Sequence, residues 1–137
     1  NQENLYGRLM APREYRHYLT TMNALNYMVR ELTNLGYNLI MLAQERVVDG
    51  IIQPDASPAI TRSMVAKSSY VWRTGRNASG KIGIKVIQTG MEDEIKTRND
   101  QFAQALKKHT NDSGWYLLPD ATHQGLSDIF KLYQENK

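Results

Sequence analysis

The sequence predicts an α/β domain: a mainly parallel sheet flanked by helices and carrying one basic β-hairpin. Three observations predict it. A long amphipathic helix pattern ends at a glycine, an apolar run of strand length follows at once, and a basic ribbon comes later in the chain. Helix followed by buried strand is the second half of a βαβ unit, in which the strand is covered on both faces.

Each element has its own reason. Residues 11–35 read as one helix, because Pro12 suits a first turn and Tyr15, Leu19, Met22, Leu25, Val29 and Leu32 recur at spacings of three and four. Gly36 is its stop. Residues 37–43, Tyr-Asn-Leu-Ile-Met-Leu-Ala, are expected as the buried strand. Residues 44–57 hold Asp49-Gly50 and Pro54, with Pro58 just beyond, and read as a long loop. Ser57-Pro58 suggests a cap and first position for a short helix through Lys67. Residues 69–74 and 81–88 are strand-like around Gly75-Arg76-Asn77-Ala78-Ser79-Gly80, a hairpin turn. Ile82, Ile84 and Val86 then share one face and Lys81, Gly83 and Lys85 the other. Ile95, Phe102 and Leu106 suggest a helix in the later part of 92–109. Residues 115–118 make a last strand, and 125–136 a closing amphipathic helix through Leu126, Ile129, Phe130 and Tyr133.

The chain has 137 residues, 41% of them hydrophobic and 23% charged, which suits one core and reads as a single α/β domain or domain fragment spanning 1–137. No apolar run approaches membrane-spanning length and the opening residues Asn1-Gln2-Glu3-Asn4 are polar, so a soluble, cytoplasmic protein without membrane contact is expected. With no cysteine, thiol catalysis, thiolate metal sites and disulfides are excluded. Charge is uneven. From Ala56 to Met91 there are six basic residues and no acidic one, while the remainder holds 11 basic and 14 acidic residues. A polyanion would therefore bind the middle of the chain, through Arg62, Lys67, Arg73, Arg76, Lys81 and Lys85, unless those side chains form only a solvated face.

Other chemistries find little support. His17, His109 and His123 are isolated, with no i, i+4 pair, so no metal site is expected. No Gly-x-Ser-x-Gly elbow marks a serine nucleophile, and Asn77-Ala78-Ser79-Gly80-Lys81 only imitates the end of a phosphate loop. A Mg²⁺-dependent nuclease would need Pro54-Asp55 and Glu94-Ile95-Lys96 on neighbouring strands, yet Asp55 lies in a proline-flanked stretch.

The order of features resembles the second half of RecA-like ATPase domains, in particular compact phage-encoded nucleotide-binding proteins of the RecA/AAA type that act in single-strand annealing and recombination. The resemblance covers roughly Tyr6 to Asn99. It rests on Leu42-Ala43-Gln44-Glu45 at a strand end, a proline-containing loop over 46–67, two further strands, and Lys96-Thr97-Arg98-Asn99. It implies that Gln44 senses a γ-phosphate and that the loop, beginning with Arg46, contacts single-stranded DNA. Lys96 and Arg98 would reach the nucleotide of an adjacent subunit in a homo-oligomer. The Walker A loop and Walker B strand of such domains are not in these residues. The expectation is thus a carboxyl-terminal piece of such an ATPase, with ATP and Mg²⁺ bound only by a full-length protein and neither bound by this chain alone. The competing expectation is a non-enzymatic nucleic-acid-binding or structural module of a phage or nucleoprotein assembly, in which the same cations only position a polyanion.

Overall fold

The computed structural model describes residues 15–56, 58–120 and 122–137, which fall into two compact units, one ending at Leu42 and one running from Ala43 to Lys137. In the first unit, helix α1 (Tyr15–Asn34) ends as expected. Gly36 takes a positive φ of 79° and its amide reaches the Thr33 carbonyl at 3.0 Å, a left-handed stop that a side chain would strain. Residues 11–14 of the expected helix, and Ser57 of the expected cap, lie outside the described residues.

The second unit is built from small antiparallel sheets. Strands β1 (Glu45–Val48) and β2 (Ile51–Pro54) form a hairpin in the register Glu45↔Pro54 to Val48↔Ile51. Its turn is Asp49-Gly50, both at positive φ, as a two-residue hairpin turn requires. Helix α2 (Pro58–Lys67) follows. Next come β3 (Tyr70–Val71), β4 (Arg73–Arg76), β5 (Ile82–Lys85) and β6 (Lys96–Thr97). Helix α3 (Asp100–Lys107), β7 (Trp115–Leu117) and helix α4 (Gly125–Glu135) complete the chain. Strands β4, β5 and β7 make one sheet in that order, and β3 pairs with β6.

The expected parallel sheet is therefore corrected: every paired strand runs antiparallel to its neighbour, in sheets of two or three strands. The one parallel contact among the described residues is an isolated bridge between Ile52 and Asp93. Residues 37–43 form no strand, and Leu42 is 94% exposed. An apolar run becomes a buried strand only where a sheet offers it edges and faces, and among the described residues no strand pairs with it. The expected loop over 44–57 is largely the β1–β2 hairpin, since Asp49-Gly50 punctuates two short strands instead of breaking structure throughout.

The core lies between the β4–β5–β7 sheet and helices α3 and α4. Ile84, Val86, Ile87, Phe102, Leu106 and Ile129 are buried together, with Tyr70, Trp72 and Tyr133 packed against them. The Phe102 ring meets Tyr133 edge-on at 5.3 Å and Tyr70 at 5.9 Å, contacts worth about 0.5–1.5 kcal/mol each beyond area burial. Helix α3 presents Phe102, Ala105 and Leu106 to this core. Its first turn is capped by Asn99, whose side-chain oxygen accepts from the Phe102 amide at 2.9 Å.

Candidate nucleic-acid interface

The structure sorts the basic residues into two groups. The first is internal. Lys85 points away from the apolar face of β5, as its alternation predicts, but that side is covered: its side chain is 1% exposed and its ammonium donates to Asp93 at 2.9 Å and Glu92 at 3.0 Å. Arg73, opposite Lys85 in the β4–β5 register, bridges Glu45 at 2.8 Å and Asp93 at 3.6 Å, with its guanidinium 5.7 Å from the centre of the Trp115 ring. Desolvation is the largest influence on Lys85 and pulls its pKa down. Hydrogen bonds and attraction from Asp93 and Glu92 outweigh it, and the net direction is up. Glu92 is held below its ordinary value chiefly by the Lys85 hydrogen bond. Arg46 pairs with Asp55 at 3.7 Å at the base of the β1–β2 hairpin.

The second group faces solvent. Arg76 and Lys81 flank the tip of the β4–β5 hairpin and are exposed. The tip is rigid: Asn77 accepts at its side-chain oxygen from the Ser79 amide and hydroxyl and the Lys81 amide, while Arg76 donates to the Gly80 carbonyl at 2.9 Å. Arg62 and Lys67 are exposed on α2. Beside the tip lies a groove of about 540 Å³ lined by Arg76, Lys81, Ile82, Leu117, Leu118 and Asp120.

The residues expected to meet a nucleotide are not gathered. Gln44 is exposed and uses its carbonyl to accept from the Asp55 amide at 2.6 Å, closing the hairpin; it does not end a sheet strand. Lys96 reaches back to α2, where its ammonium donates to the carbonyls of Val65 at 3.0 Å and Ala66 at 3.3 Å, satisfying groups that a helix end leaves open. Arg98 is held near the same end by its amide, which donates to the Ser69 carbonyl at 3.1 Å, and its side chain is exposed. Among the described residues no group of three or more His, Asp or Glu side chains could hold a metal ion, and no helix is long and apolar enough to cross a membrane.

The sequence reading missed the partners of Lys85. The available signal was a single lysine inside Ile82-Gly83-Ile84-Lys85-Val86-Ile87, an apolar stretch in which a charge needs a counter-charge, with Glu92-Asp93 the nearest acidic pair downstream. Nothing local marked Leu117, Leu118 or Asp120 as groove residues. Comparison with family models, curated proteins and solved structures gives no match for this chain.

Proposed function

We propose that this chain is the nucleic-acid-binding part of a protein that acts on single-stranded DNA, with Arg76 and Lys81 contacting the phosphate backbone and Arg62 and Lys67 extending the basic surface. One observation carries the reading: the basic stretch is divided between cations used inside the molecule, Arg73 and Lys85, and cations displayed on a rigid hairpin tip beside an open groove. A rigid tip presents charge with little ordering entropy, which favours binding. The test is anisotropy with labelled (dT)₁₂ over a salt series. Arg76→Ala with Lys81→Ala should weaken binding and flatten the log–log salt dependence by about 0.7 for each lost phosphate contact. An unchanged slope returns both residues to the solvated surface.

A second reading adds ATP and Mg²⁺, held by a longer homo-oligomeric chain, with Arg98 reaching a neighbour's nucleotide. Its support is the exposed Arg98 guanidinium, for which no ion pair or hydrogen bond occurs among the described residues. In the longer protein, Arg98→Ala should abolish hydrolysis and spare ATP binding, since a cation supplied in trans contributes about 10³ to 10⁵ in rate. Retained hydrolysis removes this reading. Lys96, engaged with α2, is given no part in it.

A further inference from the structure

Beyond the exposed cations, the second unit holds three further features: the buried Lys85–Asp93 pair, the His123–Asp128 pair and the groove beside the hairpin tip. The first two are ion pairs between protein groups, and the one Asp93 oxygen without a hydrogen bond, Oδ2, faces Arg73 at 3.6 Å. The groove is open and chemically mixed. Its two cations stand at the hairpin, Ile82, Leu117 and Leu118 supply apolar lining, and one carboxylate, Asp120, stands with the chain leaving β7. The two sides are tied together, because the Leu118 amide donates to the Ile82 carbonyl at 3.0 Å. Its volume of about 540 Å³ lies inside the range of roughly 300–1,000 Å³ typical of small-ligand clefts.

We infer that this groove seats one nucleotide of a single strand, its phosphate on Arg76 and Lys81, its base over Ile82, Leu117 and Leu118, and an exocyclic amino group of the base donating to Asp120. The inference rests on the nucleic-acid reading and adds to it a base preference. Charge sets the direction in which the nucleotide lies. A phosphate is attracted to the hairpin end and repelled from Asp120, so the base, not the phosphate, occupies the Asp120 end. Aliphatic side chains can cover a base face, as apolar walls do in sites that hold unstacked bases. The carboxylate is pre-set as an acceptor: Thr122 donates its amide at 2.8 Å and its hydroxyl at 2.6 Å to one oxygen of Asp120. Those bonds also hold the Asp120 pKa below its ordinary value, so it is ionised at neutral pH. Cytosine offers an amino donor where thymine offers only a carbonyl oxygen. In a duplex both faces of a base are stacked on its neighbours, so a groove that covers a base face with Ile82, Leu117 and Leu118 takes an unpaired strand.

The test compares (dC)₁₂ with (dT)₁₂ at pH 7.5 by anisotropy, using the wild-type chain and Asp120→Asn. Wild type should bind (dC)₁₂ about three- to tenfold tighter. Asp120→Asn, which keeps the size but loses the charge and one acceptor oxygen, should weaken (dC)₁₂ relative to (dT)₁₂ and narrow the gap, and an unchanged gap overturns the role of Asp120. Methyl resonances of Ile82, Leu117 and Leu118 should shift on titration with (dC)₁₂, a readout that needs no variant. Equal binding of the two oligonucleotides by wild type, or unmoved methyl resonances, overturns the inference while leaving phosphate binding at the hairpin tip intact. Absence of binding to either oligonucleotide overturns both.

Discussion

Removing the Asp93 carboxylate tests how the second unit tolerates a lysine in its interior. In Asp93→Ala the Lys85 ammonium loses its 2.9 Å partner in a site where both side chains are 1% exposed, and Arg73 loses its 3.6 Å contact. Only Glu92, which is largely solvated, remains for Lys85. Breaking a buried pair from one side costs about 3–5 kcal/mol, and the residual Glu92 bond places the expected loss near the lower figure. For a folding unit of this size, a loss of about 3 kcal/mol lowers Tm by roughly 12–24 °C. Urea and thermal denaturation followed by tryptophan fluorescence would measure it. The double variant Lys85→Met, Asp93→Leu should return to within about 1 kcal/mol of wild type, because a hydrophobic pair avoids the desolvation of both ions. The sign with pH follows from Lys85, whose folded pKa lies above its unfolded value. Its contribution is fully present below the unfolded pKa of about 10.4 and is lost as pH rises through the folded value, so wild type weakens in that alkaline window and the double variant does not share the loss. A loss below about 1 kcal/mol in Asp93→Ala, or a double variant no better than the single, would refute the argument that the pair is internally balanced.

Two further outcomes follow from backbone geometry. Gly114 has φ 78° and a Cβ there would overlap the Ile87 carbonyl oxygen, so Gly114→Ala should cost more than about 2 kcal/mol in urea denaturation; a near-neutral result would mean that the turn into β7 can shift. Asn99→Ala should cost about 1 kcal/mol through loss of the α3 cap, whereas Asn99→Asp or Asn99→Ser should retain most of it.

Local signals were legible in the sequence and pairing was not. The helix stop at Gly36, the helix from Pro58 to Lys67 and the closing helix depend on nearby residues and are found where their spacing places them. The basic hairpin forms too, but with strands Arg73–Arg76 and Ile82–Lys85, so that Gly75-Arg76 belong to a strand and not the turn, and Tyr70–Val71 pair with Lys96–Thr97 instead. The sheet direction depends on which strands meet, and residues 37–43 carry the composition of a buried strand yet pair with no strand among the described residues. The hairpin from Glu45 to Pro54 was concealed by its shortness, four residues a side, despite the Asp49-Gly50 turn. Of the basic residues, alternation put Lys85 on the far side of β5 from the core, but period-two reasoning does not say whether that side is wet or covered. The groove was illegible because its two walls, residues 76–82 and 117–120, are joined only by sheet register.

The side chain of Gln88 spans the turn between β5 and β6: its amide nitrogen donates to the carbonyls of Gly90 and Asp93, and its oxygen accepts from the Ile95 amide at 2.7 Å. One residue thereby stands in for a strand partner. Ile95 is buried, so its amide proton is shielded from water by a bond that no backbone carbonyl shares. Amide protons exchange with solvent only when their bond opens. Exchange at Ile95 therefore times the release of a single side chain, and it registers the opening of the Gln88–Ile95 turn separately from the unfolding of the sheet beneath it.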